Sequence, residues 1–122
     1  MEELQVYQKA LQAAAHAVSA ILERPAFQRD RELGGQLNRA SVRVVSDISE
    51  GFEQKTDRHF ARYLYDSRGG TREIRTQLEV ALGRRHVTAD EKERLSGRYE
   101  EIAKMLSGLI DYLTREDRQN RR

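Results

Sequence analysis

Residues 57–83 read DRHFARYLYDSRGGTREIRTQLEVALG. Within them Phe60, Leu64, Ser67, Thr71, Ile74, Leu78 and Ala81 follow one another at alternating steps of three and four. That spacing places them along one face of an α-helix, as in the seam of a helical bundle. Ser67, Gly70 and Thr71 sit in the middle of the stretch, so it predicts a neighbouring helix approaching closely there. Thr56-Asp57 supplies an N-cap and Gly83 a C-terminal stop. The reading is a helix over 57–83.

The same rhythm continues on both sides. Leu33, Leu37, Ala40, Val44, Ile48 and Phe52 predict a helix over about 30–54. Val42-Arg43-Val44-Val45 looks like a strand in isolation, but the period before and after it is helical. Gly34 and Gly35 weaken the start of this helix by ~1 kcal/mol each relative to alanine. Thr88-Ala89-Asp90-Glu91 matches a capping box and opens a helix over about 89–114, with Leu95, Tyr99, Ile102, Leu106, Leu109 and Leu113 as its seam. The first helix, about 2–24, carries two stripes: Leu4, Tyr7, Leu11, Ala14, Val18 and Ile21, and beside them Val6, Ala10, Ala13, Ala17 and Ala20. Pro25 then ends it. Four amphipathic helices with short connections predict an all-α fold, an antiparallel up-down-up-down four-helix bundle over 1–114. Residues 115–122 read as a basic polar tail. Two apolar stripes on the first helix exceed what one small bundle covers, so Val6, Ala10, Ala13, Ala17 and Ala20 are expected to form an interface in a homo-oligomer.

Composition narrows the function classes. The chain has 122 residues, one domain's worth. Cysteine is absent, which excludes a disulfide scaffold, a thiolate zinc site and a thiol nucleophile. No apolar run approaches a membrane span and no charged-then-apolar leader opens the chain, so a cytoplasmic protein without membrane contact is expected. His16, His59 and His86 have no histidine four residues away, and no Glu-x-x-His pair of a di-iron bundle occurs. Gly34-Gly35 and Gly69-Gly70 lack the following Lys-Ser/Thr of a phosphate loop. No metal, cofactor or catalytic residue is therefore expected, and no enzyme activity.

The net charge is only +2, with 22 basic residues against 20 acidic. Eighteen of the basic residues are arginine, the side chain whose planar fork pairs with phosphates and carboxylates and stacks on rings. Residues 56–87 carry seven basic against four acidic residues, net +3. At 100° per residue, Arg58, Arg62, Arg68, Arg72 and Arg75 fall within an arc of about 140° beside the third seam, with Tyr65 inside it. Arg84 and Arg85 extend the patch into the next loop. Arginines interleaved with an exposed aromatic grip phosphates and stack bases, so these eight residues are the candidate contact surface for RNA or DNA. The competing expectation is that they pair with acids on a neighbouring helix or chain. Arg39, Arg43, Asp47 and Glu50 climb one helix face a turn at a time, and Glu73 and Gln77 flank the third seam. These six are expected to form a structural polar network rather than an acid–base site.

Residues 39–52 read RASVRVVSDISEGF. The string resembles the Arg-Ala…Asn-Ile-Ala-Glu-Gly-Phe motif of the four helix bundle protein family, encoded in intervening sequences of some bacterial 23S ribosomal RNA genes. Leu4-Gln-Val-Tyr-Gln-Lys-Ala10, Phe60-Ala-Arg-Tyr-Leu64 and Arg68-Gly-Gly-Thr-Arg-Glu-Ile-Arg-Thr-Gln-Leu78 are similar to further segments of that family, in order along nearly the whole chain. Asp47, Ser49 and His59 depart from it, standing where Asn, Ala and Glu are usual. The resemblance implies a bundle that assembles as a closed, ring-like homopentamer without enzyme activity. Relatives include the accessory variability determinant of diversity-generating retroelements, which binds a reverse transcriptase and nucleic acid. A reverse transcriptase is thus an alternative partner, and a purely structural oligomer a third reading.

Overall fold

The computed structural model describes residues 2–116. Its first arm comprises α1 (Glu2–Gln12), a π-helical turn (Ala13–Val18) and α2 (Ser19–Leu22). A short connector, α3 (Pro25–Arg29), leads to α4 (Arg31–Phe52), followed by α5 (Asp57–Gly83) and α6 (Ala89–Leu113). α5 packs between α4 and α6, and the first arm closes the bundle by packing on both α4 and α6. The four arms thus form an all-helical bundle, and no strand occurs among the described residues. Residues 117–122, most of the expected basic tail, lie outside them.

Local chemistry sets the helix ends. The Asp30 carboxylate accepts from Leu33 N at 3.4 Å and caps α4. The Thr56 hydroxyl accepts from His59 N at 3.2 Å and caps α5. Thr88 and Glu91 form the full reciprocal box at the start of α6, at 3.1 and 2.8 Å. Pro25 stands at the first position of α3, where its missing N–H costs nothing. α5 ends at Gly83, but the left-handed position falls two residues later, on Arg85 at φ 64°. His86 N donates to Ala81 O and Arg85 N to Leu82 O, the paired closure of a Schellman motif.

The core contains Leu33, Leu37, Val44 and Ile48 from α4, Leu64, Ile74 and Leu78 from α5, and Tyr99, Ile102 and Leu106 from α6. Phe60, expected in the third seam, is only half-buried, and Phe52 is exposed at the end of α4. Tyr99 is fully buried with its hydroxyl unpartnered among the described residues, and that burial pushes its phenol well above the usual range. α4 and α5 meet closely at glycine. A Cβ on Gly70 would lie 2.8 Å from Val44 Cγ2, and one on Gly51 would lie 2.8 Å from Phe60 Cδ1. The Ser67 hydroxyl spans the same contact, donating to Val44 O at 2.9 Å.

The first arm corrects the expected oligomer interface. Val6, Ala10 and Ala13 are fully enclosed in the chain's own core, followed inward by Val18 and Ile21. Leu4 and Leu11, from the other stripe, stand outside, Ala17 is half-buried and Ala20 exposed. The two stripes are therefore two halves of one buried stripe that changes register. From Ala13 to Val18 is a step of five, which in a regular α-helix would carry Val18 about 140° off the face. The π turn absorbs that extra residue. Deleting Ala15 should convert the turn to α-helix with the same residues facing inward. The thermal midpoint of that variant, followed by circular dichroism, should stay within a few degrees of the parent. A collapse of the transition would show that the π turn is itself required.

Candidate nucleic-acid interface

α5 turns its seam inward and presents a ridge of arginine outward. Arg58, Arg62, Arg72 and Arg75 are exposed along it, with Arg85 exposed beyond its end. Among the described residues none of these five forms an ion pair with an acid. Arg68 is half-buried. Its guanidinium donates to Ser107 Oγ on α6 at 3.0 Å and lies 5.0 Å from the centre of the Tyr65 ring. Tyr65 is 48% exposed, so the ring covered by Arg68 remains open to solvent. Arg84 differs from the rest: it pairs with Asp30 at 2.9 Å, and His86 meets the same carboxylate at 2.8 Å. Among the described residues, seven of the eight candidates thus have no carboxylate partner, and Arg84 belongs to the joint between α4 and α5.

Hollows flank the ridge. A groove of about 1010 Å³ runs between α4 and α5, with Arg39, Arg43, Arg72, Thr76, Gln77 and Val80 among its walls. A smaller one between α5 and α6 holds Arg72 and Arg75 beside Glu79, Glu93 and Glu100. Arg72 stands on the crest between the two. The sequence pattern did not single out these grooves, because a helical period shows which residues leave the core and not the gap between two helices.

The expected polar network forms only in part. Arg43 reaches across from α4 to Glu73 on α5 at 2.6 Å. Arg39 and Glu50 are exposed and form no ion pair among the described residues. Asp47 Oδ2 and Gln77 Oε1 are buried atoms without a hydrogen-bond partner there. The ladder fails because Arg43 turns to the facing helix instead of to Asp47 one turn along its own. These six residues are a single cross-helix ion pair with two unmet buried oxygens beside it.

Those oxygens leave a pH signature. Burial pushes the Asp47 carboxyl above its ordinary value of 3.8, and the charges of Asp66 and Glu50 push the same way against Arg43. The folded chain then keeps a proton that the unfolded chain has released, so stability falls as pH rises above that value. Glu91 has the opposite sign: hydrogen bonds from the Arg24 guanidinium (Nη1 to Oε1, 2.9 Å) and the Thr88 backbone lower its carboxyl from 4.5 to about 2. Its contribution is complete above 4.5 and lost as pH falls toward about 2. Asp30, held down first by His86 and then by Arg84, follows the same sign. Asp47→Asn should therefore raise the urea midpoint at pH 7 by more than at pH 4. An equal gain at both, or none at pH 7, would refute the burial account.

Among the described residues no cluster of His, Cys, Asp or Glu could hold a metal ion, and no helix is long and apolar enough to cross a membrane. The described residues thus form an all-helical bundle with small residues between α4 and α5 and arginines along the outside of α5. The chain belongs to the 23S rRNA-intervening sequence protein family, whose model matches residues 2–108. The crystal structure of a protein of unknown function from the S23 ribosomal protein family of Bacteroides thetaiotaomicron has the same fold, with a TM-score of 0.84. The two are 21% identical, and the similarity covers 91% of this chain and 99% of that one. No curated protein matches.

Proposed function

We propose that this chain is a non-enzymatic, nucleic-acid-binding module whose contact surface is the outer face of α5. The observation that carries the reading is the ridge of exposed arginines without carboxylate partners among the described residues, with Arg68 lying over a half-exposed Tyr65. Arg24, Arg43 and Arg84 take acids, and what sets the α5 arginines apart is that Arg58, Arg62, Arg68, Arg72 and Arg75 follow one another along one helix face beside Tyr65. The backbone at Arg85 supports the same reading. A left-handed φ of 64° costs an L-residue about 1–2 kcal/mol, and glycine would avoid it. An arginine held there at that cost is consistent with a contact outside the fold.

Self-association is the second part of the proposal, with five copies as the number that the family resemblance implies. Leu4 and Leu11 stand outside the bundle, 50% and 38% exposed. Between them the half-buried Tyr7 meets the exposed Phe52, ring centres 6.1 Å apart. This apolar surface is what the first arm has left for a second copy. Repeating the α5 ridge around a ring would add avidity to a modest charge on each chain.

Fluorescence anisotropy with a labelled single-stranded oligonucleotide tests the first part. Affinity should fall steeply with salt, at a log–log slope of about −0.7 per phosphate neutralised on a single strand. No binding at ~50 mM salt and tens of micromolar protein, conditions under which even non-specific binders associate, would remove the proposal.

A further inference from the structure

The groove between α4 and α5 carries an unmet hydrogen-bond demand. Gln77 is only 8% exposed, and its amide oxygen is buried without a partner among the described residues, yet the side chain lines the groove. A buried acceptor left without a donor is unfavourable, so a bound donor would relieve a cost already present. Two cross-helix ion pairs bracket this part of the groove. Arg43–Glu73 closes one end at 2.6 Å and Arg84–Asp30 the other at 2.9 Å. Between them Val80, 40% exposed, offers an apolar surface. Arg39 on α4 and Arg72 on α5 line the same groove, and neither is paired with an acid among the described residues. Since Arg72 also stands on the outer ridge, the groove opens beside the arginine surface.

An apolar surface, a buried acceptor and two flanking guanidiniums match the parts of one nucleotide. In such a fit a base face would pack on Val80, the Gln77 amide would turn from its buried position so that Oε1 accepts an N–H of the base edge, and the flanking phosphates would meet Arg39 and Arg72. A paired base has already committed its Watson–Crick edge, whereas single strands can splay their bases into protein pockets. We propose that the α4–α5 groove receives an unstacked base, making single-stranded nucleic acid the preferred ligand of this chain. The inference rests on the nucleic-acid reading above and narrows it to a substrate class. Every base carries an N–H donor on that edge, so the site tolerates sequence.

Gln77→Leu tests it without threatening the fold, because it replaces an unpaired buried amide with an apolar side chain of similar size. Anisotropy is measured with a single strand, the matching duplex and an abasic strand of equal length, each across a salt series. The expected result is about a tenfold loss for the single strand, the effect of one hydrogen bond to a buried group. Duplex and abasic binding should stay unchanged, and so should the salt slope, because no phosphate contact is removed. Arg72→Ala should instead reduce the slope on all three by about the share of one phosphate. Parent-like single-strand binding by Gln77→Leu would overturn the inference and leave the arginine surface standing. So would a parent that binds duplex and abasic strand as tightly as single strand. A changed sedimentation mass for Gln77→Leu would overturn it too, marking the groove as a contact between copies. If the parent binds none of the three, the broader reading falls with it.

Discussion

Replacing Arg68, Arg72 and Arg75 together by glutamate should abolish nucleic-acid binding and leave a folded bundle. The change converts residues 56–87 from seven basic against four acidic residues to four against seven, from net +3 to net −3. Without an arginine at a phosphate, the counterion release that drives binding there disappears, and the new carboxylates repel the backbone. Affinity should fall more than a hundredfold at low salt, because three interactions at about 1 kcal/mol or more each multiply. The fold should survive. Arg72 and Arg75 are exposed, and glutamate is nearly as good a helix former as arginine. Arg68 gives up its bond to Ser107 and its place over Tyr65, together worth about 1–2 kcal/mol. The new glutamates make like-charge pairs at 68/72, 72/75 and 75/79 on the exposed helix, each costing about 0.2–0.5 kcal/mol. The competing structural reading, in which these arginines hold copies together, expects the same variant to dissociate. Gel filtration beside an anisotropy titration separates the two. Intact assembly without binding supports the nucleic-acid surface, whereas dissociation assigns the arginines to the interface between subunits.

Much of the bundle was legible in the sequence, because burial follows the helical period wherever a helix is regular. The seams of α4 and α6 came through nearly unchanged, since each stays regular from cap to cap. The first arm did not. Its two stripes looked like one wide apolar face, and no residue between Ala13 and Val18 marks the π turn: three alanines and a histidine fit either coil. A register change there moves every later residue and leaves composition untouched. The arginine ridge was legible for the same reason as the seams, being the seam's complement on α5. What a period could not show was partner choice. Arg43 had Asp47 one turn away on its own helix and Glu73 on the next, and only the packing distance between α4 and α5 decides between them. Gln77 was placed beside the seam and expected in a network. Its burial without a donor follows from Arg43 and Glu73 satisfying each other.

Gly69 and Gly70 are neighbours whose replacement by alanine should have opposite effects. Both lie inside α5, where alanine is worth roughly 0.5–1 kcal/mol over glycine because it loses less backbone entropy. A Cβ on Gly69 meets nothing within 4 Å, so Gly69→Ala should collect that gain and raise the thermal midpoint by about 3–6 °C per kcal/mol for a domain of this size. A Cβ on Gly70 would lie 2.8 Å from Val44 Cγ2 and 3.8 Å from Ala40 O. The valine cannot swing away: it is fully buried, and its branched side chain has one strongly preferred rotamer in a helix. Its backbone oxygen also accepts from Ser67 at 2.9 Å. To admit the methyl group α4 and α5 must separate, stretching that hydrogen bond and loosening the packing around it. Overpacking of this kind costs about 1–3 kcal/mol, which outweighs the propensity gain, so Gly70→Ala should melt several degrees below the parent. Val44→Ala alone also destabilises by emptying a buried site, but combined with Gly70→Ala the total loss should be smaller than the sum of the two single losses, because the removed γ-methyl is the one in the way. Additive losses in the double variant would show that the two helices do not meet at this point.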